Sequence, residues 1–263
     1  MRPWMLSEIN YGHVKQAHYE VAVLPMGATE PHNLHLPYGT DTFESEVITS
    51  RACEAATAKG ARVLQLPAIP YGTETNMSEF PFAMNLMPST LGLVIRDLVR
   101  SLEKQGIRKF LILNSHGGNE FKPLLRELAA ETEVKLFLCD WFKGLTADVV
   151  SSIFTHKEDH AGEVETSLAL AFFPEFVAKD EKTGKLRADE GAVRASRFEA
   201  VNKGWVGLSR PWHLLTTNSG SGNPHQASAE KGEKLMEVMV ARLSQFLVEL
   251  DRAPIDELFP FAG

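Results

Sequence analysis

An α/β fold with a mostly parallel sheet is predicted from three observations. Apolar runs of strand length alternate with longer stretches of helical period. One of those runs, Lys109-Phe-Leu-Ile-Leu113, is unbroken, as expected of a strand covered on both faces. Polar clusters follow directly on the strand ends, where an open parallel sheet binds its ligands. Strand, helix, strand in this rhythm calls for right-handed crossovers.

Taken in order, Val21 to Leu24 reads as a buried strand and Asp41 to about Lys59 as a helix closed by Gly60. Arg62 to Leu66 is a second strand, ended by Pro67, Pro70 and Gly72. Tyr71 to Asn85 has no clean period, and an excursion of that length in a compact domain is usually functional. Ser89 to Gln105 returns to helical spacing, with Leu91, Val94, Ile95, Leu98 and Leu102 on one face. After the third strand, Asn119 is placed to cap a helix running to about Glu131, and Val134 to Cys139 is a fourth strand. Glu163 to Phe173 is helical and Pro174 stops it, whereas residues 179–208 carry no assignable pattern. Asn223-Pro224 is expected to start a long C-terminal helix whose Leu235, Val238, Met239, Leu243, Phe246 and Leu250 form an apolar stripe. No repeat, low-complexity tract or linker interrupts the chain, so one domain over residues 1–263 is expected.

With 263 residues, 44% of them hydrophobic, the chain is long enough to bury a core without disulfide or metal staples. Its formal net charge of -7, with no basic run, argues against nucleic acid or an anionic membrane as partner. Cys53 and Cys139 are far apart and read as reduced, apolar fillers. The first residues lack the apolar centre of a signal peptide, and no stretch approaches the roughly 20 apolar residues of a membrane span. A soluble, cytoplasmic protein acting on a small molecule is expected.

The densest chemistry lies in Gly27-Ala-Thr-Glu30-Pro-His32-Asn-Leu-His35-Leu-Pro-Tyr-Gly-Thr-Asp41. Pro31, Pro37 and Gly39 keep it out of helix. In extended chain just past a strand, Glu30 and His32 point the same way, and Asp41 can swing back from beyond the turn. Carboxylates and imidazoles converging there suit a divalent cation. Asp41-Thr-Phe-Glu44 is equally a capping box. A second cluster, Asn114-Ser-His116-Gly-Gly-Asn119, offers His116 as a ligand; its competing reading is an anion nest at a helix N-terminus. A third opens a helix at Asp159-His160-Ala-Gly-Glu163-Val-Glu165. There His160 and Glu163 are three apart and share a face, a spacing that serves metals, while Glu165 points elsewhere. Acids in a first helical turn are also favoured by the macrodipole alone.

Glu30, Asp41 and Glu163 bring three negative charges, and His32 and His116 bring neutral nitrogens. Two divalent cations with one bridging hydroxide balance that set, and five candidates exceed the three protein ligands of a single open zinc site.

Together the three motifs resemble the creatininase (creatinine amidohydrolase) family: G-x-x-E-x-H-x-x-H-L-P-x-x-T-D at Gly27 to Asp41, N-x-H-G-G-N at Asn114 to Asn119, and H-A-G-E-x-E-T-S at His160 to Ser167. A late element, Gly222-Asn-Pro-His-Gln-Ala to Lys231-Gly232, is similar as well. The resemblance implies a three-layer α/β/α sandwich and two divalent metals, zinc first, with manganese or iron as alternatives. It also implies hydrolysis of a C–N bond in a small cyclic amide or formamide, in a homo-oligomer that is often a hexamer. Carried over, Glu30 and His116 hold one metal, His32 holds the other and Asp41 bridges. Creatinine-hydrolysing members carry a glutamate ligand of the second metal where Gly118 stands; Glu163 is its expected replacement. Pro31 and Asn33 replace the usual Gln and Gly, and His156 stands where those enzymes place a pocket tryptophan, which argues against creatinine itself.

His160 and Glu163 are thus the expected catalytic residues, with His160 protonating the leaving nitrogen or serving structurally. His35, Gly117, Gly118 and Asn119 are expected around the substrate, His35 either as pocket wall or behind a metal ligand. Glu74 and Glu79 are candidates to line the pocket; His13, His18, His213 and His225 are expected on the surface. Creatinine amidohydrolase proper, a deformylase or lactonase, and a non-catalytic anion- or metal-binding module are the alternatives.

Overall fold

The computed structural model describes residues 1–156 and 160–261. Four strands, β1 (Val21–Met26), β2 (Val63–Gln65), β3 (Lys109–Asn114) and β4 (Lys135–Asp140), form one wholly parallel sheet in the order β2-β1-β3-β4. Met26 pairs with Asn114 and Asn114 with Asp140, so three strands finish level.

Strand periodicity sorts the core into two faces. Val21 and Val23 of β1 and Leu111 and Leu113 of β3 pack on helices α1 (Thr40–Ala58), α4 (Glu163–Phe172) and α5 (Ala229–Arg252). Ala22, Leu24, Met26, Phe110 and Ile112 face the other way, onto α2 (Pro88–Lys104) and α3 (Phe121–Leu128). The result is a three-layer α/β/α sandwich. Each large side chain fully buried on either face contributes about 1.5–3 kcal/mol. On α2, Val94 is exposed and Gly92 and Val99 are buried, so its core stripe is turned slightly from the expected one.

Three local expectations are corrected. The capping-box alternative at Asp41 does not form: Gly39 is the N-cap of α1, without a side-chain bond, and Asp41 turns inward from the first turn. Asn119 is not a cap either. Its Oδ1 accepts from Thr73 N (3.0 Å), and its Nδ2 donates to Gly27 O (3.2 Å) and Asn114 Oδ1 (3.1 Å), clamping three loops together. Asn223 does cap, but only the 3-10 turn Pro224–Gln226; the chain then extends, and Ser228 starts α5 by accepting from Lys231 N. Residues 179–208 are mostly irregular, with a helical turn at Glu199–Asn202.

Gly27 explains how the first motif meets α1. A Cβ there would lie 2.4 Å from Thr42 Oγ1 and 2.5 Å from Thr42 N, so only glycine lets the end of β1 touch the turn that carries Asp41. Among the described residues no helix is long and apolar enough to cross a membrane.

Candidate metal centre

In the order β2-β1-β3-β4 the chain leaves β1 for one side and returns on the other, so β1 and β3 flank the topological switch point. Glu30 and His32 follow β1, and His116 follows β3. Asp41 comes from the first turn of α1 and Glu165 from that of α4, with His160 just before α4. Glu74 arrives on the long loop after β2. Glu30, His32, Asp41, Glu74, His116 and His160 are all buried. Asp159, which opens the third motif, lies outside the described residues.

The histidine tautomers follow from their backbone partners, because a carbonyl oxygen only accepts. His116 Nε2 donates to Thr73 O (3.1 Å), leaving Nδ1 facing Glu30 Oε1 at 3.0 Å and Asp41 Oδ2 at 3.1 Å. His32 Nδ1 donates to Glu30 O (3.1 Å), which turns Nε2 toward Asp41 Oδ1 at 3.2 Å. His160 Nε2 donates to Pro31 O (2.8 Å), and its Nδ1 stands 3.7 Å from Glu30 Oε1. Each imidazole is therefore oriented from behind by a main-chain carbonyl and presents its second nitrogen to carboxylates. That is how metal-binding histidines are held. Lone pair against carboxylate is repulsive unless a cation, proton or metal, lies between.

The protonation tendencies agree. Burial opposes a charge on His32, but the Asp41 carboxylate outweighs it and pushes the pKa up to about 10. His116 moves the same way: burial lowers it, and Glu30 and Asp41 lift it well above its ordinary value. Glu30 rises well above the carboxylate range, through burial first and then the Glu74 charge, against the pull of His116. Asp41 is lowered: burial would raise it, and His32 and His116 more than offset that. His160 falls well below its ordinary value through burial and the neighbouring His32. The protein alone leaves this pocket short of positive charge.

A divalent-metal set fits these residues. Glu30 Oε2, Asp41 Oδ2 and both Glu74 carboxylate oxygens are buried without a hydrogen bond. Candidate ligand atoms fall into three overlapping groups, each within 4.8 Å: Glu30, His32 and His160; Glu30, Glu74 and His116; and His32, Asp41 and Glu165. Mixed nitrogen and oxygen donors of this kind suit zinc, manganese or iron.

Of the residues singled out by sequence, Glu30, His32, Asp41, His116 and His160 come together. Glu163 does not. Its carboxylate is taken by Lys231 Nζ of α5 and by the backbone N–H groups of Thr155 and His156, at 2.8 Å each. The reason is local: α4 begins only at Glu163, and Ala161, with φ of 53°, turns the chain between it and His160. Helical spacing therefore does not connect the two, and Glu165 is the carboxylate aimed at the cluster. His35 and Asn119 sit behind the site rather than at the substrate: His35 Nε2 bonds Thr166 Oγ1 at 2.7 Å, and burial holds its pKa down at about 4. Gly117 and Gly118 do line the cavity.

That cavity, about 1230 Å³, opens from Glu30, Asp41, His116 and Glu165 and is walled by Trp141 and Trp212. Trp141 Nε1 donates to Ser115 Oγ (2.8 Å), and Trp212 packs edge-on to His160, ring centres 5.1 Å apart. Two tryptophans thus border the site from segments remote from the third motif. The long loop was the signal available for Glu74; nothing local marked Trp212.

Comparison with known proteins agrees with this geometry. The family model for creatininase (creatinine amidohydrolase) matches residues 7–247. A mycofactocin precursor peptide peptidase of Mycolicibacterium smegmatis is 28% identical, over 84% of this chain and 81% of its own length. The creatinine amidohydrolase of Pseudomonas putida is 24% identical, over 87% and 89% respectively. A crystal structure of a candidate creatinine amidohydrolase from Bacteroides fragilis superposes with a TM-score of 0.89 at 35% identity, covering 98% of this chain and 100% of that one. Creatininases described as manganese and zinc–zinc types share the fold at TM-scores of 0.74 and 0.72, with 22% and 23% identity over 95% of this chain and 99% and 98% of theirs. With the family model matched over residues 7–247 and the fold over nearly its whole length, this chain belongs to the creatininase family of hydrolases.

Proposed function

We propose that the protein is a dinuclear metal-dependent amidohydrolase that cleaves a C–N bond in a small cyclic amide or formamide. The observation that carries this reading is the set of three imidazoles, each pinned by a main-chain carbonyl and each facing carboxylates. Glu30 and His116 would hold one divalent cation, His32 and Glu165 the other, with Asp41 between them. Zinc is the first choice and manganese or iron the alternatives, in keeping with the metal types of the related creatininases. When bound, such ions would supply an acidified water and polarise the amide oxygen. His160 supports proton transfer to the departing nitrogen: Nε2 is committed to Pro31 O, so Nδ1 is the atom that takes and gives the proton. Trp141 and Trp212 line the pocket and offer it aromatic surface for the substrate. The substrate approaches over Gly117 and Gly118, which line the cavity near His116.

Glu30→Gln and Asp41→Asn are each expected to strip metal and abolish hydrolysis; full metal occupancy in both variants refutes the assignment. Activity is sought by offering cyclic ureides, lactams and formamides to the metal-loaded protein. A second reading, hydrolysis of a peptide amide, is favoured by the cavity, whose 1230 Å³ exceeds the roughly 300–1,000 Å³ of ordinary small-molecule sites. The peptidase relative supports it as well. Short peptides in the same screen separate the two. Less than about half an equivalent of metal in a protein purified without chelator would favour a non-catalytic binding module.

A further inference from the structure

We propose that Glu74 is itself a metal ligand, adding a second glutamate carboxylate to the Glu30–His116 position. The inference rests on the dinuclear reading above. Glu74 is wholly buried, neither carboxylate oxygen has a hydrogen bond, and its ion-pair contact is His116, with Oε1 2.9 Å from Nε2. His116 Nε2 already donates to Thr73 O, so this contact is not an aligned hydrogen bond. Ligand atoms of Glu74, Glu30 and His116 lie within 4.8 Å of one another. Two dehydrated carboxylates at that separation repel strongly unless a cation is shared between them.

The loop is built to hold Glu74 there. Glu74 N donates to Asn85 Oδ1 (2.7 Å) from the far end of the same loop, and Thr73 N donates to Asn119 Oδ1 (3.0 Å). Position 118 is the counterpart. A Cβ on Gly118 would lie 2.4 Å from Thr73 O and 2.3 Å from His116 Nε2. Any side chain there would push away the residue that leads into Glu74. Glycine at 118 therefore lets the backbone of Thr73, and with it Glu74, lie against His116.

The test compares wild type, Glu74→Gln and, as a surface control on the same loop, Glu79→Gln. Each is loaded with zinc, dialysed, and assayed for bound metal by mass spectrometry and for affinity by chelator competition. Wild type and the control should hold about two equivalents, and Glu74→Gln about one. Melting separates ligation from structure. Without metal, Glu74→Gln should melt at or above the wild-type temperature, because a buried repulsion has been removed, while the increment gained on adding zinc shrinks. Two equivalents in Glu74→Gln with unchanged affinity overturn the proposal. So does a loss of only 10–100-fold in affinity with stoichiometry kept, the mark of a group acting through His116. If Glu74→Gln does not fold, Glu74→Asp gives the same reading: weaker binding at one position supports ligation, and wild-type affinity at both rejects it. Wild type that binds no zinc at all sinks the dinuclear reading itself, a result distinct from each of these.

Discussion

His160 differs from the other two imidazoles in how far it stands from the carboxylates. Its Nδ1 is 3.7 Å from Glu30 Oε1, whereas His116 Nδ1 comes to 3.0 Å, and its ring packs against His32 with centres 4.1 Å apart. That placement favours a proton carrier over a tight ligand. His160→Ala is expected to lower kcat by about 10²–10⁴-fold, the usual worth of a positioned acid or base, with metal content unchanged. Steady-state kinetics beside metal analysis checks this; loss of an ion would make His160 a ligand instead. At this scale the motifs were informative because chemistry follows residue type: acids and imidazoles near strand ends pointed to the candidate metal-binding cluster that the fold assembles. Glu163 and Glu165 show the limit. The two differ by two positions, and which one reaches the site depends on where α4 starts and on the left-handed turn at Ala161.

Between elements, Glu163 has a different task from the one its motif suggested. It joins the start of α4 to Lys231 of α5, and through Thr155 and His156 it holds the segment that leads toward His160. Lys231 also donates to Gln226 O at 2.8 Å, which ties α5 to the turn before it. Burial pushes the Glu163 carboxyl up, but Lys231 and the two backbone N–H groups prevail and hold it below its ordinary value. The sign follows. A lowered carboxyl contributes stability that is fully present above the unfolded value of about 4.3 and is lost as pH falls through the folded one. Wild type should therefore lose melting temperature more steeply than Glu163→Gln below about pH 4.3. Calorimetry of the two proteins from pH 3 to 7 in chelator measures it, and parallel profiles would rule the linkage out. The strands and the helices Thr40–Ala58 and Pro88–Lys104 were legible to within a residue or two, since their periodicity is a local property; the C-terminal helix starts five residues after its expected first position, Pro224. Asn223 and Ser228 were not distinguishable: both are sound caps, and only the path of the chain between them shows that the first starts a 3-10 turn and the second the long helix.

For the molecule as a whole, the unfilled property is association. Phe198, Trp205, Val206 and Leu208 are exposed within one short segment, Trp205 at 76%. An apolar stretch of that size on a charged surface is usually covered. We propose a homo-oligomer, as the family resemblance implies. Sedimentation equilibrium should give a multiple of the 29.2 kDa chain mass, and a monomer at micromolar concentration would reject it.

From residue order alone came the α/β alternation, the positions of the strands and their apolar faces, and three motifs whose acids and imidazoles are candidate metal ligands. These are determined locally, by side-chain period and residue type. The tertiary structure alone decided the membership of the site. Glu74 joins the candidate ligands, Glu163 bonds Lys231 instead, and Asn119 and His35 bond neighbouring loops and helices. Ligation needs atoms within a few ångströms of one point. Where loops from β1, β2 and β3 converge is set by how the layers pack, which no single stretch of chain encodes.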